Sequence, residues 1–322
     1  MPVIVLTNRY RAAPLAIVKN ALPPAFELLM PDKAEKGELL KVAPAADYFL
    51  ASGRVRVDAE VLGAAANLKM IQRTGVGLDT IDLAAANERS IPVYVNRGVN
   101  AASVAEHTVL LMLAALRRLT QVDAAVKNGV WQKQEQGVRN AELRGKTVGL
   151  VGLGSIGRET AARLRAFGVK LVYYDIDRLT AGEEQRLGVR YLPFDELLAQ
   201  AGIVSLHCPL TAETRLMMNA AVLASMKKGS VLINTARGGL VDEKALAESL
   251  AAGHTGFAGL DVFDAEPLPE DSPLRNLPNV ILTPHIGGIT ADSFRAMMTE
   301  AMENIRLFEA GDLEKINPKR IN

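Results

Sequence analysis

The stretch Val148-Gly-Leu-Val-Gly-Leu-Gly-Ser-Ile-Gly-Arg158 decides the fold of the central part of this 322-residue chain. It places Gly152, Gly154 and Gly157 in a G-x-G-x-x-G pattern, directly after an apolar run that is typical of a buried strand. A helical pattern follows, and a second apolar run ends in Asp175, 18 residues beyond the last of these glycines. Strand, glycine turn, helix, strand and acid in this order predict a unit that binds a dinucleotide.

Each part of this motif has its own physical role. Gly152 permits a tight turn, Gly154 lets the backbone approach a pyrophosphate without a Cβ, and Gly157 lets the helix pack close to the strand. The N-terminus of the helix offers free N–H groups and a partial positive charge to the phosphates. Asp175 can accept hydrogen bonds from both hydroxyls of an adenosine ribose. The alternative is a plain turn in an α/β domain, which explains the glycines but not the acid.

The composition narrows the class of protein. With 49% hydrophobic and 23% charged residues, the chain can bury two cores of ordinary domain size. A net charge of +1 gives no reason to expect nucleic acid or a membrane surface as a partner. The single cysteine, Cys208, excludes an internal disulfide and favours the cytoplasm. We expect no signal peptide, and the apolar pattern at 104–116 is too short and too polar to span a membrane.

The first hundred residues alternate short apolar strands with helical patterns. Helices are expected near 15–21, 59–66 and 83–89. The expected strands are Val3–Thr7, Phe26–Met30, Tyr48–Ala51, Lys69–Gln72 and Val93–Asn96. This alternation predicts a small doubly wound parallel sheet.

From Asn100 onward the pattern predicts a second α/β domain. A long helix at 101–119 and a shorter one near 121–128 precede the glycine motif, and the alternation of strand and helix continues beyond it. The further strands expected are Lys170–Asp175, Ile203–His207, Val231–Asn234, Ala258–Val262 and Val280–Thr283.

The last segment predicts one amphipathic helix, capped by Thr290 and ended by Gly311. Its apolar face is expected to pack on the N-terminal domain, so that residues 1–99 and 289–322 form one discontinuous domain. Residues 100–288 then form the domain inserted between them. We therefore predict an α/β fold of two doubly wound parallel-sheet domains, a Rossmann nucleotide-binding domain inserted into a flavodoxin-like substrate domain. The ligand is expected in the cleft between the two.

Four histidines are candidates for acid–base chemistry, and nothing in the sequence predicts a metal site. His107 lies on the long apolar helix and is interpreted as a structural histidine, and His254 follows a glycine in a turn that is expected to be solvated. His207 ends a strand at the carboxyl edge of the sheet, where it is expected to line the cofactor site. His285 follows the last strand and precedes two glycines, near the predicted domain junction. It is therefore the titratable group best placed for chemistry.

Two further strand ends carry polar side chains. Arg237 follows the strand at 231–234, and the segment 259–267 contains Asp261, Asp264 and Glu266. An arginine, a carboxylate and a histidine at three strand ends of one sheet could converge on one spot. The alternative is an ordinary ion pair between Arg237 and Glu266, and spacing alone leaves both open.

The chain resembles the D-isomer-specific 2-hydroxyacid dehydrogenases, a family that includes glyoxylate/hydroxypyruvate reductases and phosphoglycerate dehydrogenases. The resemblance covers nearly the whole chain and is specific at several separate blocks. These blocks are 73–82 (RTGVGLDTID), 100–107 (NAASVAEH), 152–157 (GLGSIG), 206–211 (LHCPLT), 234–239 (NTARGG), 261–267 (DVFDAEP) and 284–288 (PHIGG).

The resemblance implies that Arg237, Glu266 and His285 form the catalytic set, and general chemistry supports these roles. Oxidation of a 2-hydroxy acid removes the hydroxyl proton as hydride leaves C2, and a histidine, with a usual pKa of about 6.5, suits a reversible acid and base. A carboxylate such as Glu266 orients the ring and favours its protonated form for reduction. Arg237 presents a planar fork that can hold a carboxylate and polarise a carbonyl oxygen.

The resemblance also implies the residues that contact the cofactor, which we expect to be NAD. Asp175 would repel the 2′-phosphate of NADP, and Arg178, three residues on, could offset that repulsion only in part, so NADP is the less favoured cofactor. The expected contacts are Ser103, Gly152, Gly154, Ser155, Ile156, Gly157, Asp175, His207, Pro209, Thr214, Thr235, Ala236, Asp261 and Gly287.

The expected substrate is a small 2-oxo or 2-hydroxy acid. The resemblance implies that the N–H groups of Val76 and Gly77 hold its carboxylate and that a loop containing Ser52 and Gly53 touches its far end. Phosphoglycerate dehydrogenases tend to carry an arginine about where Ala51 stands, although Arg54 is close by, and many have a further regulatory domain that is not expected here. Both points favour a substrate such as glyoxylate or hydroxypyruvate.

Members of this family are usually dimers through the nucleotide domain, so a homodimer is expected. Trp131 is interpreted either as a contact to the partner subunit or to the active site of that subunit, or as a residue buried in its own domain.

Two other functions compete with this interpretation. Some transcriptional corepressors resemble the same family and sense dinucleotides, and they can retain the same three residues, Arg237, Glu266 and His285. Formate dehydrogenases share the fold but would carry a glutamine at the position of Glu266, so the glutamate argues against them.

Overall fold

The computed structural model describes residues 1–322. The chain forms two compact units. The smaller unit comprises Met1–Asn100 and Thr290–Asn322, and the larger unit comprises Ala101–Ile289. None of the helices is both long enough and apolar enough to cross a membrane.

The smaller unit contains a five-stranded parallel sheet in the order β2-β1-β3-β4-β5, which is the flavodoxin-like order. Its strands are β1 (Val3–Leu6), β2 (Glu27–Leu29), β3 (Tyr48–Ala51), β4 (Met70–Arg73) and β5 (Val93–Val95). Its first four helices are α1 (Ala12–Ala21), α2 (Lys36–Val42), α3 (Ala59–Ala64) and α4 (Leu83–Glu88).

The larger unit contains a seven-stranded parallel sheet in the order β12-β11-β10-β9-β6-β7-β8. Its strands are β6 (Thr147–Val151), β7 (Lys170–Tyr174), β8 (Val189–Tyr191), β9 (Ile203–Leu206), β10 (Ser230–Asn234), β11 (Thr255–Leu260) and β12 (Val280–Leu282). Its helices are α5 (Ala101–Leu116), α6 (Leu119–Lys127), α7 (Lys133–Gly137), α8 (Ser155–Arg165), α9 (Ala181–Leu187), α10 (Phe194–Gln200), α11 (Ala220–Ser225) and α12 (Glu243–Ala251).

The strand order of the larger unit places its ligand-binding edge. The order of the strands reverses between β6 and β9: from β6 the chain adds strands on one side, and from β9 it adds them on the other. These two strands are parallel, hydrogen-bonded neighbours although they are not consecutive in the chain. In open α/β sheets, ligands bind outside the carboxyl ends of the strands at such a switch point. Every residue of β9 and β10 is buried, because helices cover both faces of the sheet. The predicted fold class, with two parallel sheets, is confirmed.

The last helix, α13 (Ala291–Glu309), belongs to the smaller unit and packs against α1 and β4. Thr290 caps it by accepting the Ser293 N–H at 3.0 Å, and Gly311 follows its end with a φ of +76°. The buried side chain of Asn304 donates to Gln72 Oε1 at 3.2 Å, so a polar contact adds to the apolar packing of this helix. The expected cap, end and apolar face are all present.

The structure departs from the sequence prediction at short elements. Helix α2 was not expected, because Lys36, Glu38 and Lys41 dominate its seven residues and Leu39 alone is buried. Strand β8 was not expected either, since it has three residues and an exposed arginine in its middle. Helix α5 ends at Leu116 instead of continuing to 119, because Arg118 adopts a left-handed conformation with a φ of +48°.

Candidate active site

The glycine turn joins β6 to α8, as the motif predicts. Gly152 has a φ of +95°, and a Cβ there would lie 2.7 Å from the backbone nitrogen of Cys208. A Cβ on Gly157 would overlap the carbonyl oxygen of Gly152. A Cβ on Gly154, in contrast, would meet no protein atom within 4 Å. The fold itself therefore requires glycine at 152 and 157, whereas the glycine at 154 leaves space outside the chain, which suits close approach of a pyrophosphate.

The first turn of α8 offers hydrogen-bond donors to an anion. Gly154 is the N-cap residue, no side chain caps the helix, and no acidic residue lies in the first turn. The N–H groups of Ser155 and Ile156 therefore have no partner within the helix. Free N–H groups at a helix N-terminus bind phosphate. These residues fit a dinucleotide.

Asp175 lies directly after β7, with its carboxylate against the glycine turn. Its Oδ2 accepts the Leu153 N–H at 2.6 Å, and its Oδ1 accepts the Asp177 N–H at 3.2 Å. The neighbouring Arg178 points elsewhere: its Nε donates to Glu184 at 3.0 Å, and its guanidinium lies 4.9 Å from the centre of the Tyr191 ring. Asp175 and Arg158, whose Nε donates to the Leu153 carbonyl oxygen at 3.1 Å, are therefore the two charged groups that bond to Leu153 of the glycine turn.

His207 follows β9 at the same edge of the sheet. Its Nε2 lies 3.0 Å from Ser205 Oγ, and its Nδ1 is buried without a hydrogen-bond partner. Burial lowers the pKa of this imidazole to about 4, so the ring is neutral near pH 7. A neutral ring with an unpartnered nitrogen suits contact with a ligand.

Three other residues predicted to contact the cofactor, Thr214, Thr235 and Ala236, are hydrogen-bonded to neighbouring protein groups at this edge. Thr214 Oγ1 donates to the Pro209 carbonyl oxygen at 2.7 Å. Thr235, which is 8% exposed, has its Oγ1 2.8 Å from Thr108 Oγ1. The Ala236 N–H donates to the side chain of Asn234 at 3.0 Å. Their contact with a cofactor stays a prediction.

His285 and Glu266 form a hydrogen-bonded pair. His285 Nδ1 lies 2.8 Å from Glu266 Oε2 and 3.1 Å from Oε1, and Oε1 also accepts the Phe263 N–H at 3.1 Å. Burial opposes ionisation of Glu266, but the hydrogen bond and charge of His285, with the Phe263 N–H, hold the pKa of this carboxyl below its usual range. With Nδ1 held by a carboxylate, Nε2 is the ring nitrogen that can exchange a proton with a substrate.

Arg237 lies on the loop after β10, beside the Glu266 loop. Asn234 Nδ2 donates to the Arg237 carbonyl oxygen at 2.8 Å, and Arg237 Nη1 donates to the Ala236 carbonyl oxygen at 2.7 Å. The next residue, Gly238, packs so tightly that a Cβ would overlap the carbonyl carbon of Phe263. The three predicted catalytic residues thus follow β10, β11 and β12, which are neighbouring strands in the sheet.

Asp261 is the buried centre of a network behind this pair. Its side chain is buried, with 1% of the residue exposed. Its Oδ1 accepts hydrogen bonds from Thr283 Oγ1 at 2.6 Å and from the Ile286 N–H at 3.0 Å. Its Oδ2 accepts the Gly287 N–H at 2.8 Å. Burial opposes its ionisation, but these donors and His107 together hold the pKa of Asp261 below its usual range. Its carboxylate is therefore charged near neutral pH.

Helix α5 reaches the same network through two residues four positions apart. Ser103 Oγ donates to the Gly287 carbonyl oxygen at 2.8 Å, and His107 Nε2 lies 3.0 Å from Thr283 Oγ1. Neither His107 nor Thr283 is predicted from the sequence to take part in the function. The signal that could have found them is the spacing of Ser103 and His107, which puts both on one face of α5.

In the smaller unit, the loop after β4 presents free backbone donors. The N–H groups of Val76 and Gly77 donate to no protein acceptor. Arg73, which the sequence analysis did not single out, holds this loop: its Nε donates to the Gly77 carbonyl oxygen at 2.6 Å, and its Nη1 donates to the Ala51 carbonyl oxygen at 3.1 Å. Consecutive free N–H groups form a concavity that can bind a carboxylate.

The loop after β3 lies on the other side of Arg73. Ser52 donates its N–H to Thr7 Oγ1 at 3.0 Å, and its own hydroxyl is buried without a partner. Gly53 is exposed, and a Cβ there would lie 3.1 Å from Arg73 Nη2. Ala51 is fully buried in the apolar core, so the side chain at this position does not face solvent.

The structure determines the surroundings of His254 and Trp131. His254 is not solvated as expected: it is half-buried, and its Nε2 lies 3.0 Å from the Met226 carbonyl oxygen, because the turn folds back on the end of α11. Trp131 is 79% exposed, which excludes burial in its own domain.

Comparison with known proteins identifies the family. Residues 109–287, more than half of the chain, match the family model for the NAD-binding domain of D-isomer-specific 2-hydroxyacid dehydrogenases. The chain belongs to this family. The match covers the glycine turn and all three predicted catalytic residues of the larger unit.

Other dehydrogenases of this family align with most of the chain. A D-3-phosphoglycerate dehydrogenase of Mycobacterium leprae is 40% identical over 97% of this chain, which spans 58% of that protein's length. A hydroxypyruvate reductase of Thermotoga maritima is 43% identical over 84% of this chain and 87% of its own. A crystal structure of Aquifex aeolicus D-lactate dehydrogenase with NAD and lactic acid superimposes with a TM-score of 0.86, at 29% identity and coverage of 99% and 98% of the two chains.

Replacement of Asp261 by asparagine is expected to destabilise the protein in a pH-dependent way. The amide nitrogen cannot accept the Gly287 N–H, so we expect a loss of about 1–3 kcal/mol in the free energy of unfolding at pH 7. A carboxyl whose pKa is lowered on folding stabilises the folded state above its unfolded pKa of about 3.9, and this stabilisation is lost as the pH falls through the folded value. The difference between wild type and variant should therefore shrink below about pH 4.

Chemical denaturation of both proteins between pH 7 and pH 3.5 measures this effect. Asp271→Asn, at an exposed position in the loop before β12, is the control and should change the free energy of unfolding little at either pH. Equal stability of Asp261→Asn and wild type at pH 7 would contradict the prediction.

Proposed function

We propose that this protein is an oxidoreductase that uses NAD to interconvert a small D-2-hydroxy acid and the corresponding 2-oxo acid. The observation that carries the proposal is the hydrogen bond of 2.8 Å between His285 and Glu266 at the carboxyl edge of the sheet that also holds the glycine turn. An imidazole held by a carboxylate at a dinucleotide-binding edge is an acid–base group for carbonyl reduction.

Three residues of the larger unit, His285, Glu266 and Arg237, are proposed to have separate roles in the reaction. His285 Nε2 gives a proton to the carbonyl oxygen in reduction and takes it from the hydroxyl in oxidation. Glu266 holds Nδ1, which fixes the ring orientation and stabilises the imidazolium before the proton is given. Arg237 offers its guanidinium fork to the substrate carboxylate and carbonyl oxygen, so that negative charge developing on that oxygen is stabilised.

The smaller unit carries free backbone donors of its own. The free N–H groups of Val76 and Gly77 are suited to a carboxylate, and Arg73 keeps their loop in place through the Gly77 carbonyl oxygen. Ser52 and Gly53 are proposed to contact the far end of the substrate.

The cofactor, when bound, supplies or accepts the hydride at C4 of its nicotinamide ring. The residues proposed to hold it are the glycine turn, the first turn of α8, Asp175 and His207. The other predicted contacts, at Pro209, Thr214, Thr235 and Ala236, lie at the same carboxyl edge.

Asp175 is proposed to select NAD over NADP. Arg178 is bonded to Glu184 and stacked on Tyr191, and Arg158 is bonded to the Leu153 carbonyl oxygen and to Glu183. Because neither cation is paired with Asp175, the charge of this carboxylate is available to repel a 2′-phosphate. We expect Asp175→Ser to lower the ratio of kcat/KM for NADH to that for NADPH by at least about 10-fold, since juxtaposed like charges cost several kcal/mol.

Steady-state kinetics with both cofactors measures that ratio. The control is Asp177→Ser, which removes an exposed carboxylate two residues away and should leave the ratio near the wild-type value. A larger kcat/KM with NADPH in the wild type would contradict the assignment.

The proposed substrate is a small 2-oxo acid such as glyoxylate or hydroxypyruvate. Ala51 lies inside the apolar core, so this position provides no cation for a substrate phosphate. The similarity of the chain to a hydroxypyruvate reductase over 87% of that protein supports the same substrate class.

The test is NADH oxidation with glyoxylate, hydroxypyruvate, pyruvate, longer 2-oxo acids and phosphohydroxypyruvate. We expect the first two to give the largest kcat/KM. A preference for phosphohydroxypyruvate would overturn the substrate proposal, and tight NADH binding without turnover of any 2-oxo acid would overturn the enzyme proposal.

We also propose that the protein forms a homodimer through an apolar arm of the larger unit, residues 110–138. Helices α6 and α7 have no buried residue, yet the arm carries a series of exposed large apolar side chains. These are Leu110, Leu119, Val126, Val130, Trp131 and Val138. Exposed large apolar side chains concentrated in one segment are typical of a protein interface.

Leu119→Asp is expected to convert the dimer into a monomer, because it places a charge in an apolar interface. Sedimentation velocity should show wild type at twice the mass of one chain and the variant at one. Ile176→Asp, at an exposed apolar residue outside the arm, should remain dimeric. A monomeric wild type would refute the proposal.

We place the protein in the cytoplasm, where a free thiol is stable. Cys208 packs its Sγ 3.6 Å from Met217 Sδ, and burial raises the pKa of its thiol to about 11. The thiol is therefore neutral near pH 7 and serves as a small apolar side chain.

A further inference from the structure

We propose that His107, on helix α5, is a positioning residue for His285 and acts through Thr283 and Asp261. This inference rests on the proposed acid–base role of His285. We refer to residues 283–288, which carry His285, as the catalytic turn.

The catalytic turn has a conformation that needs external support. His285 has a φ of +55°, in the left-handed region that is unfavourable for a residue with a Cβ. Three successive N–H groups of the turn donate to one residue: that of His285 to the Asp261 carbonyl oxygen at 2.7 Å, and those of Ile286 and Gly287 to its carboxylate at 3.0 and 2.8 Å. The backbone that aims His285 towards Glu266 is thus held by Asp261.

Asp261 is itself oriented by a relay from helix α5. Thr283 Oγ1 donates a hydrogen bond to Asp261 Oδ1 at 2.6 Å. The same hydroxyl oxygen can therefore accept a hydrogen bond from His107 Nε2, which lies 3.0 Å away. His107 Nε2 is also 3.4 Å from Asp261 Oδ1. The chain of donors therefore runs from His107 to Thr283 to Asp261 and on to the catalytic turn.

The same helix holds the far end of the turn. Ser103, one helical turn before His107, donates its hydroxyl to the Gly287 carbonyl oxygen at 2.8 Å. The His107 ring packs against Gly287: a Cβ added to this glycine would lie 3.2 Å from His107 Cδ2. Helix α5 therefore fixes Gly287 by a hydrogen bond and by contact, and fixes Thr283 by a second hydrogen bond.

The geometry assigns His107 a function that differs from a general structural histidine. Its side chain is 12% exposed, and its Nε2 is engaged by two residues of the network. Loss of this relay would leave the fold and the glycine turn in place but free the catalytic turn to move. A displacement of about 1 Å in a reacting group can cost on the order of 100-fold in rate.

The test uses three variants. Thr283→Val removes the hydroxyl and keeps the shape, Thr283→Ser keeps the hydroxyl, and His107→Phe keeps an aromatic ring but removes the donor. We expect Thr283→Val and His107→Phe to lower kcat by about 10- to 100-fold, with a much smaller change in the Kd for NADH. Thr283→Val should also lower the Tm, because it removes a donor from the buried Asp261 carboxylate, whereas His107→Phe should lower the Tm less. Thr283→Ser should retain a kcat within about threefold of wild type, because the relay is intact.

A second readout does not depend on turnover. The protein has four histidines, so the ring resonance of His285 can be assigned in proton–carbon NMR spectra by its loss in His285→Asn. We expect that resonance to shift and broaden in Thr283→Val and His107→Phe and to keep its position in Thr283→Ser. If wild type turns over no 2-oxo acid, the proposed function fails, and this comparison still decides whether His107 positions His285.

Two results would overturn the inference. One is an unchanged His285 resonance and an unchanged kcat in Thr283→Val. The other is an equal loss in Thr283→Ser and Thr283→Val, because the hydroxyl would then play no part. If Thr283→Val does not fold, His107→Phe alone decides by the same criteria.

Discussion

Replacement of His285 by alanine is expected to lower kcat by about 10²–10⁴-fold, the usual contribution of a positioned general acid or base. The Kd for NADH should change little, because the glycine turn, α8 and Asp175 are independent of this side chain. Removal of the imidazole leaves Glu266 without its partner at 2.8 Å and leaves the carbonyl oxygen without a proton donor. Stopped-flow or steady-state turnover with hydroxypyruvate, together with fluorescence titration of NADH, measures both quantities.

The matched control for this variant is His254→Ala. His254 precedes β11, at the amino edge of the same sheet, and its ring Nε2 lies 3.0 Å from the Met226 carbonyl oxygen. We expect this variant to keep a kcat near that of wild type. Near-normal turnover in His285→Ala would remove His285 from the mechanism, whatever the control shows.

Replacement of Gly238 by alanine is expected to abolish most activity and to destabilise the larger unit. The added Cβ would overlap the backbone of Phe263, which cannot yield as a flexible side chain can. Overpacking of this kind costs about 1–3 kcal/mol or more in the free energy of unfolding. The strain separates the Arg237 loop from the Glu266 loop, and a displacement of about 1 Å is expected to lower kcat on the order of 100-fold.

The adjacent glycine provides the control for Gly238. A Cβ on Gly239 would lie 3.0–3.2 Å from the side chains of Leu210, Arg215 and Asp264, all of which can move. Gly239→Ala should therefore lose much less stability and activity than Gly238→Ala. Equal Tm and kcat for the two variants would show that the contact between the two loops is not needed.

Local sequence patterns predicted most of the regular structure. Strand β3, at Tyr48–Ala51, was predicted to the residue, because buried parallel strands are short continuous apolar runs bounded by polar segments. The cap at Thr290 and the end at Gly311 were predicted because helix termini depend on one or two residues. Strand β8 was missed because Arg190 in its middle conceals the apolar pattern of an edge strand.

The sequence left two possibilities open for Arg237, Glu266 and His285. They were convergence of an arginine, a carboxylate and a histidine on one spot, or an ordinary ion pair between Arg237 and Glu266. The order of these residues along the chain, each after a strand, placed all three at the carboxyl edge of one sheet. The hydrogen bond of 2.8 Å between His285 and Glu266 is seen only in the structure, because loop conformation decides which side chains meet.

The sequence by itself determined the two parallel sheets, the glycine turn with its acid at Asp175, and the edge at which His285 stands. These follow from residue type and spacing over a few tens of residues, through strand periodicity and the conformational freedom of glycine. Only the tertiary structure decided that His107 bonds Thr283 and that Arg73 holds the loop of Val76 and Gly77. Such contacts join residues distant in the chain, and their partners are set by how helices and loops pack on the sheets, which no local pattern records.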